Sequence, residues 1–192
     1  MSNTAAPFGF MQDSGTGSTP TYEQVTRSAQ YNAAAIYAGD PVTSQTDGTI
    51  AIASAGTTQI AGIFVGCKYL SVSMKRTVWN NYWPGSDVAS GNYVECYIVN
   101  DPNAKFLVQS GGTGLTLADV DANVQFNIGP PNALTGQSGA YVESPNTTPT
   151  LPFRVVSIVT TPVLGITNPV SGAYAYAIVA FNNVDTKSLT GI

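Results

Sequence analysis

From Tyr31 onward, the chain consists of short apolar or alternating segments that are separated by turn residues. The segments are rich in Val, Ile, Tyr, Phe and Thr, and Gly, Pro, Asn or Asp interrupts them about every 8–12 residues. This rhythm leaves no room for long amphipathic helices and is typical of an all-β domain. The predicted strands are residues 34–37, 49–53, 60–70, 93–100, 105–110, 153–160 and 173–182.

The turns and loops carry specific signals. Gly39-Asp40-Pro41, Asp47-Gly48 and Pro84-Gly85 supply the backbone conformations that tight turns require. Residues 116–123 are the only candidate for a helical turn, with Thr116 as its cap and Asp119 in the first turn. The Pro-rich residues 127–131 and 144–152 are predicted to be surface loops or edge crossovers. We therefore expect residues 31–192 to form a single compact β-barrel or β-sandwich domain with Pro- and Gly-rich loops.

Two strand segments have apolar residues at both odd and even positions. They are residues 93–99 (YVECYIV) and 174–178 (YAYAI). A strand that is covered on both faces has this pattern, whereas a strand with one solvated face alternates. The sequence therefore predicts that both faces of these two strands are covered.

Residues 1–30 differ in composition from the rest of the chain. The first 20 or so are rich in Ser, Thr, Gly, Ala and Pro, and their apolar cluster consists of Phe8, Phe10 and Met11. Such a segment cannot build a core of its own. It predicts an extended N-terminal arm, disordered in isolation, that anchors on a neighbouring molecule through Phe8, Phe10 and Met11.

The chain has no histidine, and its 7 basic and 11 acidic residues make up only 9% of its length. Histidine is the usual group for proton transfer near neutral pH and a common metal ligand. Ordinary globular proteins contain about 25% charged residues. The composition therefore predicts a non-enzymatic protein without catalytic residues, cofactor or metal, and a neutral surface suited to assembly.

Two acidic patterns were considered as exceptions. Asp119-x-Asp121-x-Asn123 begins like a calcium loop, but Val124 stands where the loop needs glycine and Pro130 where it needs glutamate. Two carboxylates such as Glu95 and Glu143 could in principle form a glycosidase pair, which the sequence alone does not exclude. We expect these acids instead to face solvent or to pair with cations.

The remaining composition bears on partners and compartment. The seven cations are scattered, which argues against nucleic-acid binding. No apolar run approaches the ~18 residues of a membrane span, and the N-terminus lacks the pattern of a signal peptide, so neither membrane partner nor secretion is expected. Cys67 and Cys96 lie in apolar, strand-like segments. A bridge between neighbouring strands is possible, but a cytosolic origin favours two free, buried thiols.

The densest aromatic cluster is Trp79, Tyr82 and Trp83 in the segment TVWNNYWPGSD. Trp and Tyr are favoured at the centre of protein interfaces. The same residues also stack on sugar rings or bases, or fill a core beneath a long loop. Interface or core is the favoured interpretation, and sugar binding is the next alternative.

The order of segments resembles that of tailed-bacteriophage capsid decoration, or cement, proteins. The residues that carry the resemblance are AIYAGDPVT, DGTIAIA, AGIFVGCKYLS, SGNYVECYIVNDPNAKFLVQ, ADVDANVQF, GQSGAYVES and PFRVVSIV. The resemblance implies a small β-barrel or β-sandwich on the outer shell that clamps neighbouring major capsid subunits. It supplies no catalytic residues.

These observations lead to one functional expectation and one alternative. We expect a virion structural protein that is assembled in the host bacterial cytoplasm, lies on the capsid surface and binds the major capsid protein. A homotrimer is expected first and a homodimer second. The predicted interface residues are Phe8, Phe10, Met11, Trp79, Tyr82 and Trp83. The alternative is a carbohydrate-binding module on a fibre or head protrusion that uses the loop from Trp79 to Trp83 for host attachment.

Overall fold

A computed structural model describes residues 3–14, 24–161 and 170–188. These residues form two antiparallel sheets that pack together as a β-sandwich. The predicted all-β class is therefore confirmed. Of the two predicted architectures the sandwich is correct, since the described strands do not close into a barrel.

Each sheet contains six strands. Sheet A has the order β1-β8-β12-β11-β9-β10, and sheet B has the order β2-β7-β5-β3-β4 with β6 paired to β5. The strands of sheet A are β1 (Met11–Ser14), β8 (Lys105–Gln109), β9 (Asn123–Asn132), β10 (Gln137–Asn146), β11 (Phe153–Ile158) and β12 (Tyr176–Phe181). The strands of sheet B are β2 (Val25–Gln30), β3 (Pro41–Ser44), β4 (Ile50–Ile52), β5 (Gly62–Ser71), β6 (Arg76–Asn80) and β7 (Tyr93–Val99). Two 3₁₀ turns cover Leu117–Asp119 and Asp185–Lys187.

The first core lies between the two sheets. Alternate residues of β8 and β12 point into it, as their apolar sequences require, and a cluster of phenylalanine rings fills its centre. Phe153 stacks on Phe10 and Phe181 at centroid distances of 4.3 and 5.9 Å, and Phe106 meets Phe181 edge-on at 5.0 Å. Each fully buried ring of this kind stabilises the fold by about 1.5–3 kcal/mol.

A second core lies on the opposite face of sheet B. Val94, Cys96 and Ile98 of β7 point into it, and Trp83 is fully buried there. Val99, at the end of β7, instead belongs to the first core. The prediction that both faces of β7 are covered is therefore correct only at this end, because Glu95 and Tyr97 are only partly buried.

Several predicted elements are confirmed and others are corrected. Strands β4, β7, β8, β11 and β12 fall within predicted segments, and β5 exceeds its predicted segment by one residue. The predicted turn forms where Asp119 accepts a hydrogen bond from the Thr116 N–H at 2.7 Å. Residues 34–37 contribute only the bridge from Ile36 to Trp83. The Pro-rich residues 127–131 belong to β9 and not to a loop, because Pro130 lies at its exposed end, where a missing N–H is tolerated.

The predicted boundary between an arm and a body at residue 31 does not separate two parts of the described chain. Strand β1 pairs with β8 in sheet A, and β2 pairs with β7 in sheet B. Phe10 is 3% exposed, and its N–H donates to the Gly39 carbonyl at 3.0 Å. Gly9 has a φ of 79°, and a Cβ there would lie 2.7 Å from the Ser138 side chain. Within the described residues, 3–14 and 24–30 therefore pack on the sandwich through β1 and β2, while residues 15–23 lie outside the described residues.

Candidate functional site

Part of sheet B extends beyond the first core and leaves one sheet face open. Ile63 and Val99 lie in that core near one end of the paired strands β5 and β7. Farther along, Lys68 lies opposite Glu95, and Trp79 of β6 lies opposite Lys68. Paired residues point to the same side of an antiparallel sheet. Lys68, Glu95 and Trp79 therefore share one partly exposed surface, which we call the open face.

A hydrogen-bonded ion pair lies at the centre of the open face. The Lys68 Nζ is 2.8 Å from the Glu95 Oε2, and the Tyr97 hydroxyl donates to the Glu95 Oε1 at 2.8 Å. The Lys68 ammonium lowers the pKa of Glu95, and Glu95 in turn raises the pKa of Lys68 and of Tyr97. Because the pair is partly solvated, its contribution to stability is small. Its main effects are to neutralise the charges of Lys68 and Glu95 and to hold these two side chains and Tyr97 in place on the surface.

Trp79 is the most exposed aromatic residue on this face, at 68%. The Lys68 Nζ lies 5.9 Å from the centroid of its ring. An open groove of about 380 Å³ adjoins the ring, and we call it the Trp79 groove. Its lining residues are Gln24, Val65, Gly66, Cys67, Trp79, Asn80, Asn81 and Tyr97.

Gly66 allows this groove to form. A Cβ at this position would lie 2.9 Å from the carbonyl oxygen of Asn80 on the neighbouring strand. The pairing of β5 with β7 is also irregular between Phe64 and Gly66, as in a β-bulge. A larger residue at position 66 would push β6 away and displace Trp79.

The residues Phe8, Phe10 and Met11 surround a second, apolar cavity. This arm cleft has a volume of about 210 Å³ and lies between the N-terminal segment and sheet B. Phe10 is buried, whereas Met11 is 38% exposed at the mouth. Val65 lines both the arm cleft and the Trp79 groove. Met11 belongs to one predicted aromatic or apolar cluster and Trp79 to the other, and the two cavities that they line therefore adjoin each other at Val65.

The turn between β5 and β6 presents a third feature that the sequence analysis missed. Leu70, Val72 and Met74 are 58%, 55% and 58% exposed, and we call them the hairpin ridge. Lys75 and Arg76 follow directly and are also exposed. The alternation Leu-Ser-Val-Ser-Met is the sequence signal that could have indicated it, because the apolar residues stand at every second position next to two cations.

Asp87 holds the hairpin ridge in place from a separate loop. Its carboxylate accepts hydrogen bonds from the Ser71 hydroxyl at 2.5 Å and from the Ser73 N–H at 2.8 Å. The Val72 N–H donates to the backbone carbonyl of Asp87 at 2.9 Å. The bond from Ser71 is the main cause of the lowered pKa of Asp87. These hydrogen bonds therefore hold the backbone of the hairpin ridge against the loop that contains Asp87.

Among the predicted interface residues, Trp83, Tyr82 and Phe10 are wholly or partly buried. Trp83 is fully buried, donates from its indole N–H to the Ala33 carbonyl at 3.1 Å, and meets Tyr69 edge-on at 5.1 Å. Tyr82 is half-buried and stacks on Tyr37 at 5.4 Å. Trp83 and Phe10 are therefore core residues, and their prediction as interface residues is corrected. Trp79 and Met11 remain accessible.

The carboxylates do not form the constellations considered from the sequence. Glu95 binds Lys68 in sheet B, whereas Glu143 accepts from the Asn127 amide in sheet A at 3.1 Å. Asp40 is buried and accepts from the Ser138 hydroxyl, and burial raises its pKa. Within the described residues, no group of three or more Cys, Asp or Glu side chains could hold a metal ion.

The two cysteines lie directly opposite each other on β5 and β7. Cys67 and Cys96 are both free and buried, as predicted. Burial raises the pKa of each thiol to about 12. At neutral pH they are therefore protonated and behave as small apolar core residues.

Among residues 3–14, 24–161 and 170–188, no helix has the length and apolarity needed to cross a membrane. Comparison of the chain with protein-family models, with curated proteins and with solved structures finds no match.

Proposed function

We propose that the chain is a non-enzymatic virion structural protein that binds the outer surface of a phage capsid and cements neighbouring major capsid subunits. The observation that carries the proposal is the hairpin ridge. Leu70, Val72 and Met74 are each more than half exposed and lie within one five-residue segment, whose backbone Asp87 holds by hydrogen bonds. Exposed apolar groups that cluster in this way are typical of protein interaction sites.

The distribution of charged residues also favours the hairpin ridge as the contact surface. Residues 68–76 contain three of the seven basic residues and no acidic residue. The rest of the chain contains four basic and eleven acidic residues. Because Lys68 is paired with Glu95 and the Asp87 carboxylate binds Ser71 in the turn, Lys75 and Arg76 are the exposed cations that flank the ridge. They favour a partner surface that is apolar at its centre and has acidic groups at its rim.

The proposed mechanism is mass action on assembly. A protein that binds across the joints of a mature shell, and not to separated subunits, stabilises the shell by its own binding free energy. Leu70 and Lys68 point to the same side of β5, so the open face with Trp79 adjoins the hairpin ridge. A closed homotrimer, or secondly a homodimer, would present several ridges to the capsid at once.

The test is binding of the purified protein to pre-formed shells that lack it. The double variant Val72→Ser, Met74→Ser removes apolar contact area without touching either core. Burying one such side chain is worth about 1.5–3 kcal/mol, so we expect at least about a tenfold loss of affinity. Leu117→Ser is the matched control, since Leu117 is 65% exposed on a 3₁₀ turn away from the hairpin.

The possible outcomes distinguish a failure of the proposed function from a failure of the proposed contact surface. If the unmodified protein does not bind shells, the capsid role is refuted. If the double variant binds as tightly as the unmodified protein, the hairpin ridge is not the contact. Deleting residues 1–20 is a poor substitute for this test, because it also removes β1 and the buried ring of Phe10.

A further inference from the structure

We propose that the Trp79 groove is a binding site for a neutral saccharide, with one pyranose ring stacked on the indole of Trp79. This inference goes beyond the capsid role and does not depend on it. It requires only the side chains around the groove, and these lie on β5, β6 and β7 and in the segment before β2.

The indole supplies a fixed apolar platform. Trp79 is 68% exposed, and the Lys68 Nζ lies 5.9 Å from its ring centroid. Lys68 is itself held by Glu95, which also accepts from the Tyr97 hydroxyl, so the ammonium restricts the orientation of the ring before any ligand arrives. Preorganisation of this kind lowers the entropy that binding costs. The C–H face of a pyranose ring is apolar and flat enough to pack on such an indole.

The rim supplies polar groups for the hydroxyls of a sugar. Gln24 and Asn81 line the groove, and both are exposed amides that offer donors and acceptors. The Asn81 amide nitrogen donates to the Thr135 carbonyl at 2.6 Å, which sets the orientation of the side chain. An apolar floor with a few placed polar groups is the usual design of a small-molecule site.

Size and charge narrow the ligand class. The volume of about 380 Å³ falls within the range of about 300–1,000 Å³ that is usual for ligand sites. The cation nearest the ring, Lys68, is paired with Glu95 at 2.8 Å. Among the described residues that line the groove, none carries a positive charge that could balance the phosphate of a nucleotide or nucleic acid. An uncharged sugar is the ligand that fits.

The two tryptophans allow a direct test. Trp83 is fully buried, so ligand-dependent changes in tryptophan emission report on Trp79. We would titrate the full-length protein with glucose, maltose, galactose, mannobiose and N-acetylglucosamine oligomers, with glucose 6-phosphate as the charged comparison, and measure the same compounds by saturation-transfer NMR. At least one is expected to give a saturable change at millimolar concentration, and glucose 6-phosphate is expected to bind at least about tenfold more weakly than glucose.

Variants locate the site. Trp79→Ala should abolish the NMR transfer signal, and Tyr97→Phe, which removes a hydroxyl from the lining of the groove, should weaken binding several-fold. Leu117→Ser is again the control and should bind as the unmodified protein does. Unfolding curves check that each variant is folded, which we expect because Trp79 is largely exposed.

The proposal is overturned if no sugar of the panel gives a saturable signal. It is also overturned if binding persists in Trp79→Ala. Neither result affects the capsid role, because shell binding is measured without sugar and through Val72 and Met74. Conversely, a protein that fails to bind shells can still bind sugar in this assay.

Discussion

Replacement of Phe10 by alanine tests whether the N-terminal segment belongs to the fold. The ring is 3% exposed, stacks on Phe153 at 4.3 Å and meets Phe106 edge-on at 6.3 Å. Removing a buried phenylalanine costs about 3–5 kcal/mol. Phe10 also lines the arm cleft of about 210 Å³, so its surroundings are not fully packed. We therefore expect a loss at the lower end, about 3 kcal/mol.

The assay is equilibrium unfolding in urea together with a thermal scan. For a chain of 192 residues, each kcal/mol corresponds to about 2–4 °C, so the midpoint should fall by about 6–12 °C. The control Leu117→Ala should change stability by less than about 0.5 kcal/mol. A loss below about 1 kcal/mol for Phe10→Ala would contradict the reasoning. It would mean that residues 3–14 act as a separate arm after all.

Two further predictions concern titratable groups. Because hydrogen bonds from Ser71 and Ser73 lower the pKa of Asp87 in the fold, its stabilisation is present at neutral pH and is lost as pH falls below the ordinary value of 3.8. At pH 7 the Asp87→Asn variant should therefore unfold at a lower urea concentration than the unmodified protein, whereas in strong acid the two should unfold at the same concentration. An equal difference between their urea midpoints at both pH values would contradict this. Because burial raises the pKa of Cys67 and Cys96 to about 12, a thiol reagent should label the native protein only as fast as it unfolds. Rapid labelling at pH 7 would show that the thiols are accessible.

The strands predicted correctly are those whose sequence pattern reflects burial. Val94, Cys96 and Ile98 alternate along β7 because one face of sheet B is buried. By contrast, β1 and β2 read MQDS and VTRSAQ, and they are mostly polar. They become strands because they pair with β8 and β7 at the sheet edges. Hydrogen bonding of an edge strand leaves little trace in hydrophobic periodicity, so a sequence reading misses it.

The two tryptophans show the same limit at the candidate site. Trp79 and Trp83 are four residues apart, so a continuous strand would place both on one face. Strand β6 ends at Asn80. The chain then turns, and Trp83 forms a β-bridge with Ile36 in the second core. One ring is therefore exposed and the other buried. The sequence indicated an aromatic cluster, but only the turn at residues 81 and 82 decides which ring a ligand can reach.

The most direct test of the capsid role is the copy number of this chain on purified phage particles, relative to the major capsid protein. We expect the chain to co-purify with intact particles at a fixed ratio set by the symmetry of the shell, such as one trimer per local three-fold joint. The same ratio should be reached when purified protein is added to shells that lack it. Absence of the chain from intact particles, or a variable trace amount of it, would contradict the proposed function.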